Sequence, residues 1–478
     1  MKTTSLEWTK AFEEYAAKLK EDTQAPGIAV GICREGELIY HKGLGFRDRE
    51  EQLEITLDTV FGIGSVTKSF TCVAIMKLQE AGKLRVHDPV IQYLPEFRMP
   101  LNQYTDQVTI HHLMTHTTGL PPLPTLYSAG KRSMEQDPEL KGTEHEKRLA
   151  ELPYIDTHDE LIEFIAAQEV TVLGPPGTQF SYSNDSYALL GVIIERLSGI
   201  SYEQYVTETI LQPAGMSRTV FTAEELEQFD DVAKLYTRNP GNINEVYASP
   251  SWWASPSMTA AGFLKSTIRD LLRYTEIFRT GGLVEDVRIL SEESVQQMTT
   301  PHFPIQGQSY YGYGLMITPG CFGGTLVEHG GSIKGVSAQI FTVPETGISG
   351  AVLSNADGVS AQELMTGSLN VMRSRPADEL PFSYPEVEVS AESLADYLGV
   401  YQSGEGAHAA VGVVDGQLSV TFQGSTFPFR CVDRDRFVFK KRDTQYHTTF
   451  IRDEEGRVIR MSLGFRQLQR AEQKEHSA

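Results

Sequence analysis

The composition of this chain changes near Arg375 and its hydrophobic period beyond about Ser390, and the change points to a fold built from two unlike units. Beyond about Ser390 the apolar residues alternate with period two. Val411-Gly412-Val413-Val414, a turn at Asp415-Gly416 and Leu418-Ser419-Val420-Thr421-Phe422 make a strong hairpin signal. Residues 427–429, 436–439, 447–451 and 458–463 continue the alternation, as expected for a small barrel or sandwich. Just before it, Pro376, Pro381 and Pro385 stand among acidic residues, as in a semi-rigid linker. The expected organisation is an α+β domain over 1–375, a linker over 376–390, a small all-β barrel over 391–470 and a frayed tail over 471–478. A chain of 478 residues is in any case too long for one compact core.

Upstream of Arg375 the pattern is mixed. Residues 28–33 form an apolar run, 34–37 a turn and 38–40 a second run, which together predict a β-hairpin. A largely apolar helix is expected from Ser65 to about Ala81, with Gly82 as its C-cap. Further helices are expected over 187–197 and 268–278. Strand-like runs follow at 326–328, 337–343 and 350–354, the last two joined by Pro344-Glu345-Thr346-Gly347. Strands at both ends with helices between predict one antiparallel sheet, its edges drawn from both ends of the unit and its faces covered by helices. Residues 121–157 are polar and Pro/Gly-punctuated, and they read as a partly helical flap near a site.

The net charge of −21 argues against a nucleic-acid partner and against an anionic membrane surface. No run approaches a transmembrane span, and the first twenty residues read as an amphipathic helix rather than a secretory signal. The expectation is a cytoplasmic protein, or one whose leader has been removed. Cys33, Cys72, Cys321 and Cys431 are far apart and form no metal-like pair, which fits a reducing compartment with Cys72 as a core thiol. His111, His112 and His116 lack a carboxylate or cysteine to complete a ligand set, so they are expected in core or capping roles, with no metal. Lys334 is expected to be a solvated loop lysine.

Three local features carry chemistry. Ser65-Val66-Thr67-Lys68 follows the Gly-rich turn Phe61-Gly62-Ile63-Gly64 and opens the apolar helix. The spacing puts a hydroxyl and an amine on one helix face, and a desolvated lysine can take the proton of a serine nucleophile. Short patterns recur by chance, and this one appears again as Ser128-Ala129-Gly130-Lys131, which reads as a loop among prolines. The second feature is Tyr182-Ser183-Asn184, just before a helix. Tyr182 suits a proton shuttle if nearby cations lower its pKa, and Asn184 suits a substrate amide. The third is His329-Gly330-Gly331 followed by Ser332, where the glycines let a substrate backbone approach a strand edge. The N–H groups of Ser65 and Ser332 are the natural pair for an oxyanion hole.

Taken in order, these motifs resemble those of the serine β-lactamase and penicillin-binding-protein superfamily, in its class C-like branch of D-aminopeptidases, esterases and related proteins. The resemblance runs from about Pro26 to Asn355 and includes residues 109–120 and 174–184. It implies a β-lactamase/transpeptidase-like fold with a mostly helical subdomain. It also implies Ser65 as nucleophile, Lys68 and Tyr182 sharing base and acid work, and substrate binding by Asn184, His329, Gly330 and Gly331. No metal or organic cofactor is implied. The C-terminal segment, opening at Tyr397-Leu398-Gly399-Val400-Tyr401, resembles the lipocalin-like domain of some of these hydrolases, where it shapes the entrance or assists a homo-oligomer. The chain departs from the family where many members have Lys-Thr-Gly and it has His329-Gly330-Gly331. An imidazole carries charge only when protonated, so penicillins and terminal carboxylates bound there are disfavoured as natural substrates. The expected activity is acyl-enzyme hydrolysis of an amide or peptide, with D-residue peptides among the candidates. The alternatives are a carboxylesterase, acyl transfer to an amine such as peptide cyclisation, and a non-catalytic penicillin-recognising protein.

Overall fold

The computed structural model describes residues 5–239, 242–389 and 391–471, so most of the tail expected over 471–478 lies outside the described residues. The first unit is organised by a nine-stranded sheet. Its strands are β1 (Gly27–Arg34), β2 (Glu37–Asp48), β3 (Leu53–Glu54), β4 (Phe303–Gln306), β5 (Ser309–Tyr311), β6 (Met316–Cys321), β7 (Gly324–Ile333), β8 (Val336–Val343) and β9 (Ile348–Ser354). They pair antiparallel in the order β4-β5-β6-β7-β8-β9-β1-β2-β3, so the two edges come from opposite ends of the unit. The register of β1 on β9 runs from Ile28 opposite Ser354 to Arg34 opposite Ile348.

Helices cover both faces, which is why β1, β8 and β9 are buried on both sides. Ile28, Val30 and Ile32 join a core with Trp8, Phe12 and Leu19 of α1 (Ser5–Thr23), while the intervening Ala29 belongs to the opposite core. That second core holds α2 (Thr67–Glu80), α3 (Asn184–Ser198) and α4 (Ile268–Arg279). The helix α5 (Ala361–Met372) packs beside α1. Almost every residue of α2 from Thr67 to Leu78 is buried, because it lies between the sheet-covering helix α4 and the helical subdomain. Phe70 of α2 stacks on Tyr274 of α4 at 3.6 Å between ring centroids.

The C-terminal unit is a nearly closed all-β barrel. Its strands are β10 (Gly399–Gln402), β11 (His408–Val414), β12 (Gln417–Phe422), β13 (Ser425–Pro428), β14 (Arg430–Asp433), β15 (Arg436–Lys441), β16 (Thr444–Arg452), β17 (Val458–Leu463) and β18 (Arg466–Arg470). The order is β13-β12-β11-β10-β18-β17-β16-β15-β14, and the free end at β13 curls back against β15. Its interior is aromatic, with Tyr397, Tyr401, Phe429, Phe437, Phe439 and Phe450 in one cluster.

Two expectations need correction. Ser128 and Lys131 are not in a loop: they lie buried in the helix Thr125–Glu135, which starts directly after Pro124. Lys131 donates to the Leu152 carbonyl at 2.7 Å, and the Ser128 hydroxyl has no hydrogen-bond partner among the described residues. Lys334 is not solvated. Its side chain is 6% exposed, pairs with Asp137 and Glu139, and lies over the Trp253 ring. The 121–157 segment is largely helical and reaches the barrel, where Arg148 donates to the Glu405 carbonyl at 3.2 Å.

The packing of α2 carries a stability prediction. Phe70→Ala removes a fully buried ring, and its cost is expected to be about 3–5 kcal/mol, read as a lower thermal midpoint with the secondary structure retained at 20 °C or so.

Candidate active site

Ser65 lies in a short 3-10 turn, Gly64–Val66, that runs straight into α2 rather than in the first turn of α2 itself. Two glycines bring this turn against β7. Gly64 has a φ of +50°, and a Cβ there would fall 2.6 Å from the Ser332 nitrogen. A Cβ on Gly331 would fall 1.9 Å from the Ile63 carbonyl oxygen. The backbones of Ser65 and of Gly331-Ser332 therefore meet without side chains between them, where the sequence placed an oxyanion hole.

Lys68 is fully buried. Its ammonium reaches the Ser65 Oγ at 3.2 Å, the Asn184 Oδ1 at 2.9 Å and the Ala261 carbonyl at 2.5 Å. It also stands over the Tyr182 and Tyr187 rings, at 4.8 and 5.4 Å from their centroids. Burial holds its pKa well below the ordinary lysine value, and the Arg466 guanidinium pushes it the same way. Asn184 reaches Lys68 because it is the first residue of α3, set there by Ser183, whose hydroxyl caps the helix by accepting from the Ser186 N–H.

Tyr182 lines the same cleft as Ser65. The condition set for a phenolate is not met: burial is the largest effect and raises the Tyr182 pKa, against smaller lowering by Ser65 and Arg466. Tyr182 is thus a neutral phenol, and Lys68 is the group driven towards a neutral base.

His329 is buried, and both its ring nitrogens are engaged. The Ser183 N–H donates to His116 Nδ1 at 3.0 Å, so His116 carries its proton on Nε2 and donates to the Tyr311 hydroxyl at 3.2 Å. Tyr311 then donates to His329 Nε2 at 2.9 Å, and His329 Nδ1–H donates to the Gly330 carbonyl at 2.7 Å. Burial, reinforced by Lys68, pushes His329 down to about 3. It is neutral, with no ring N–H left over for a substrate. Its place in the site is to hold Gly330 and the wall beside Tyr182.

The resemblance implied that the barrel shapes the entrance, but the sequence did not single out the barrel residues that reach the site. The β17–β18 turn sets Phe465 against the nucleophile region, where its carbonyl accepts from the Tyr182 N–H at 2.8 Å. The Gln467 N–H donates to the Ser181 Oγ at 3.2 Å. Arg466 lies over the Tyr182 ring at 5.0 Å and pairs with Glu405, which accepts from Asn184 Nδ2 at 3.3 Å. A cleft of about 490 Å³ holds Ser65 and Tyr182, the Gly330-Gly331-Ser332 edge and, from the barrel, Lys441, Arg442 and Arg466. Among the described residues, no group of three or more His, Cys, Asp or Glu side chains is arranged to hold a metal ion.

Residues 12–367 match the family model described as Beta-lactamase, and residues 384–476 match a domain of unknown function, DUF3471. Protein flp of Staphylococcus aureus (strain NCTC 8325 / PS 47) is 31% identical over 196 residues. That match takes in 41% of this chain and 35% of Protein flp, so the chain spans about a third of that relative's length. Penicillin-binding protein 4* of Bacillus subtilis (strain 168) is 25% identical over 403 residues, covering 81% of this chain and 82% of that protein. The octameric penicillin-binding protein homologue from Pyrococcus abyssi superposes with a TM-score of 0.69 at 30% identity, covering 96% of this chain and 99% of that one. With the α+β fold and the buried Lys68 beside Ser65, these matches make the chain a member of the Beta-lactamase family, whose members are generally serine hydrolases.

Proposed function

We propose that this protein hydrolyses an amide or peptide bond through an acyl-enzyme on Ser65. The observation that carries the reading is the desolvated Lys68 amine 3.2 Å from the Ser65 hydroxyl. Lys68 takes the hydroxyl proton as Ser65 Oγ attacks the substrate carbonyl carbon. The N–H groups of Ser65 and Ser332 hold the oxyanion. As the intermediate collapses, the C–N bond breaks, and the neutral Tyr182 phenol gives its proton to the leaving amine and recovers one from the Lys68 ammonium. Water then attacks the acyl ester by the same route in reverse, returning the proton to Ser65. The residues supply each step, and no metal or organic cofactor enters the scheme.

A peptide-like substrate is supported by the sheet edge. β6 pairs with β7 only as far as Glu328, so, among the described residues, 329–333 have β8 on one side and no paired strand on the other. An extended peptide can add there as a further strand, with Gly330 and Gly331 leaving room for its backbone. The barrel forms the opposite wall of the cleft, which favours short or unstructured substrates, D-residue peptides included. Because His329 is neutral, the third motif offers no fixed charge to a substrate carboxylate.

Ser65→Ala is expected to abolish turnover across a panel of p-nitroanilides and p-nitrophenyl esters of L- and D-amino acids, with an unchanged circular dichroism spectrum. Anilide turnover above ester turnover supports the peptidase reading, and the reverse favours a carboxylesterase. Undiminished activity in the variant contradicts the role of Ser65. For pH, the sign follows from burial. A lysine held below its ordinary value of 10.5 is neutral above its lowered pKa, so kcat/KM rises with pH along a limb well beneath 10.5 and then levels. Lys68→Arg keeps the charge at all working pH values and is expected to lose about 1000-fold or more in kcat. A limb centred near the usual histidine range that disappears in His329→Gln contradicts this assignment.

A further inference from the structure

Lys68 is surrounded by groups that could carry charge, and burial neutralises most of them. On its own helix, Cys72 is pushed up to about 12. Tyr182 and Tyr187 are raised by burial, and His116 and His329 are lowered by it. Among the described residues, the charged side chains that act on Lys68 are Arg466 and Glu405, both contributed by the barrel. Glu405 touches three parts of the site at once: it accepts from Asn184 Nδ2, pairs with Arg466 above Tyr182, and acts electrostatically on Lys68.

Its loop is held from both sides. Within it, the Ser403 N–H donates to the Ala407 carbonyl at 2.9 Å and the Gly406 N–H to the Ser403 carbonyl at 2.9 Å. Gly406 has a φ of +89°, and a Cβ on Gly404 would fall 2.4 Å from the Pro122 carbonyl. Arg148, stacked over Tyr127 at 4.5 Å, donates to the carbonyls of Gly404 and Glu405. A carboxylate on a clamped loop is a preorganised one.

We propose that Glu405 is a positioning residue of the Ser65 site: it fixes the Asn184 amide that holds Lys68, and it balances the Arg466 charge above Tyr182. This rests on the acyl-enzyme reading above. The orientation follows from chemistry. The Asn184 oxygen faces the Lys68 ammonium and its NH2 faces the carboxylate, so a flipped amide would meet like partners on both sides. Removing the carboxylate frees the amide to turn and leaves Arg466 unbalanced, which disfavours a proton on Lys68.

The test compares Glu405→Gln, Glu405→Ala and Arg148→Ala with the full-length parent, using the best p-nitroanilide from the substrate panel. Asp185, buried beside Asn184 and pushed up to about 7, also senses Glu405, so the pH profiles are recorded in an Asp185→Asn background. Glu405→Gln keeps an acceptor but loses the charge, and its acid limb is expected to move to lower pH by about 0.5–1 unit. Glu405→Ala loses both and is expected to lower kcat about 10-fold with KM changed much less. Arg148→Ala loosens the same loop but removes a positive charge, a change opposite in sign to the loss of Glu405, and is expected not to move the limb to lower pH. The inference is overturned if both Glu405 variants keep the parental limb and a kcat within about twofold while Ser65→Ala is inactive. It is also overturned if Arg148→Ala reproduces the shift, which would make Glu405 a docking contact only. Activity surviving in Ser65→Ala would instead overturn the underlying acyl-enzyme reading. Thermal melts keep an unfolded variant from being read as an inactive one.

Discussion

Everything distinctive in this site depends on one lysine placed where water cannot reach it. A buried ammonium is costly unless its hydrogens are accepted, and Lys68 has three acceptors: the Ser65 hydroxyl, the Asn184 amide oxygen and the Ala261 carbonyl. Each acceptor comes from a different element. Ser65 is delivered by the turn before α2, Asn184 by the capped start of α3, and Ala261 by the short helix Thr259–Gly262. The apolar surface of α2 forces the burial, and the burial lowers the proton affinity of the amine. The same packing that stabilises the domain thus prepares its base.

Around that lysine the protein removes charge rather than adding it. The chain from the Ser183 N–H through His116, Tyr311 and His329 to the Gly330 carbonyl has every proton assigned by its neighbours. It leaves His329 a neutral strut for the strand edge. The two charges that do act on Lys68 are set on the barrel, opposite in sign and paired with each other. This ties the second unit to the chemistry of the first, because the groups nearest Asn184 and Tyr182 from outside the first unit are barrel residues.

Much of the first unit was legible because its signals are local. The turn Phe61-Gly62-Ile63-Gly64 leading into an apolar helix, the helix that follows Tyr182-Ser183-Asn184 and the β1–β2 hairpin each declare themselves within a few residues. What was missed depends on distance along the chain. Glu405 and Arg466 stand more than two hundred residues beyond Asn184 and Tyr182, in loops and strand ends whose composition is ordinary. Lys334 read as solvated because its partners, Asp137 and Glu139, lie far upstream. Ser128 read as a loop residue because of the prolines before it, yet Pro124 is the residue from which its helix starts. Whether Tyr182 could ionise was not legible for a related reason: motif spacing reports neighbours but not burial, and burial is the larger effect.

The most direct test of the account is where an acylating probe becomes attached. The protein is treated with a fluorophosphonate, digested, and its adduct mapped by mass spectrometry. The account predicts one modified serine, Ser65, with labelling that fails when Lys68 is replaced by methionine. A stable adduct on Ser128 instead, or labelling of Ser65 that is indifferent to Lys68, would contradict it.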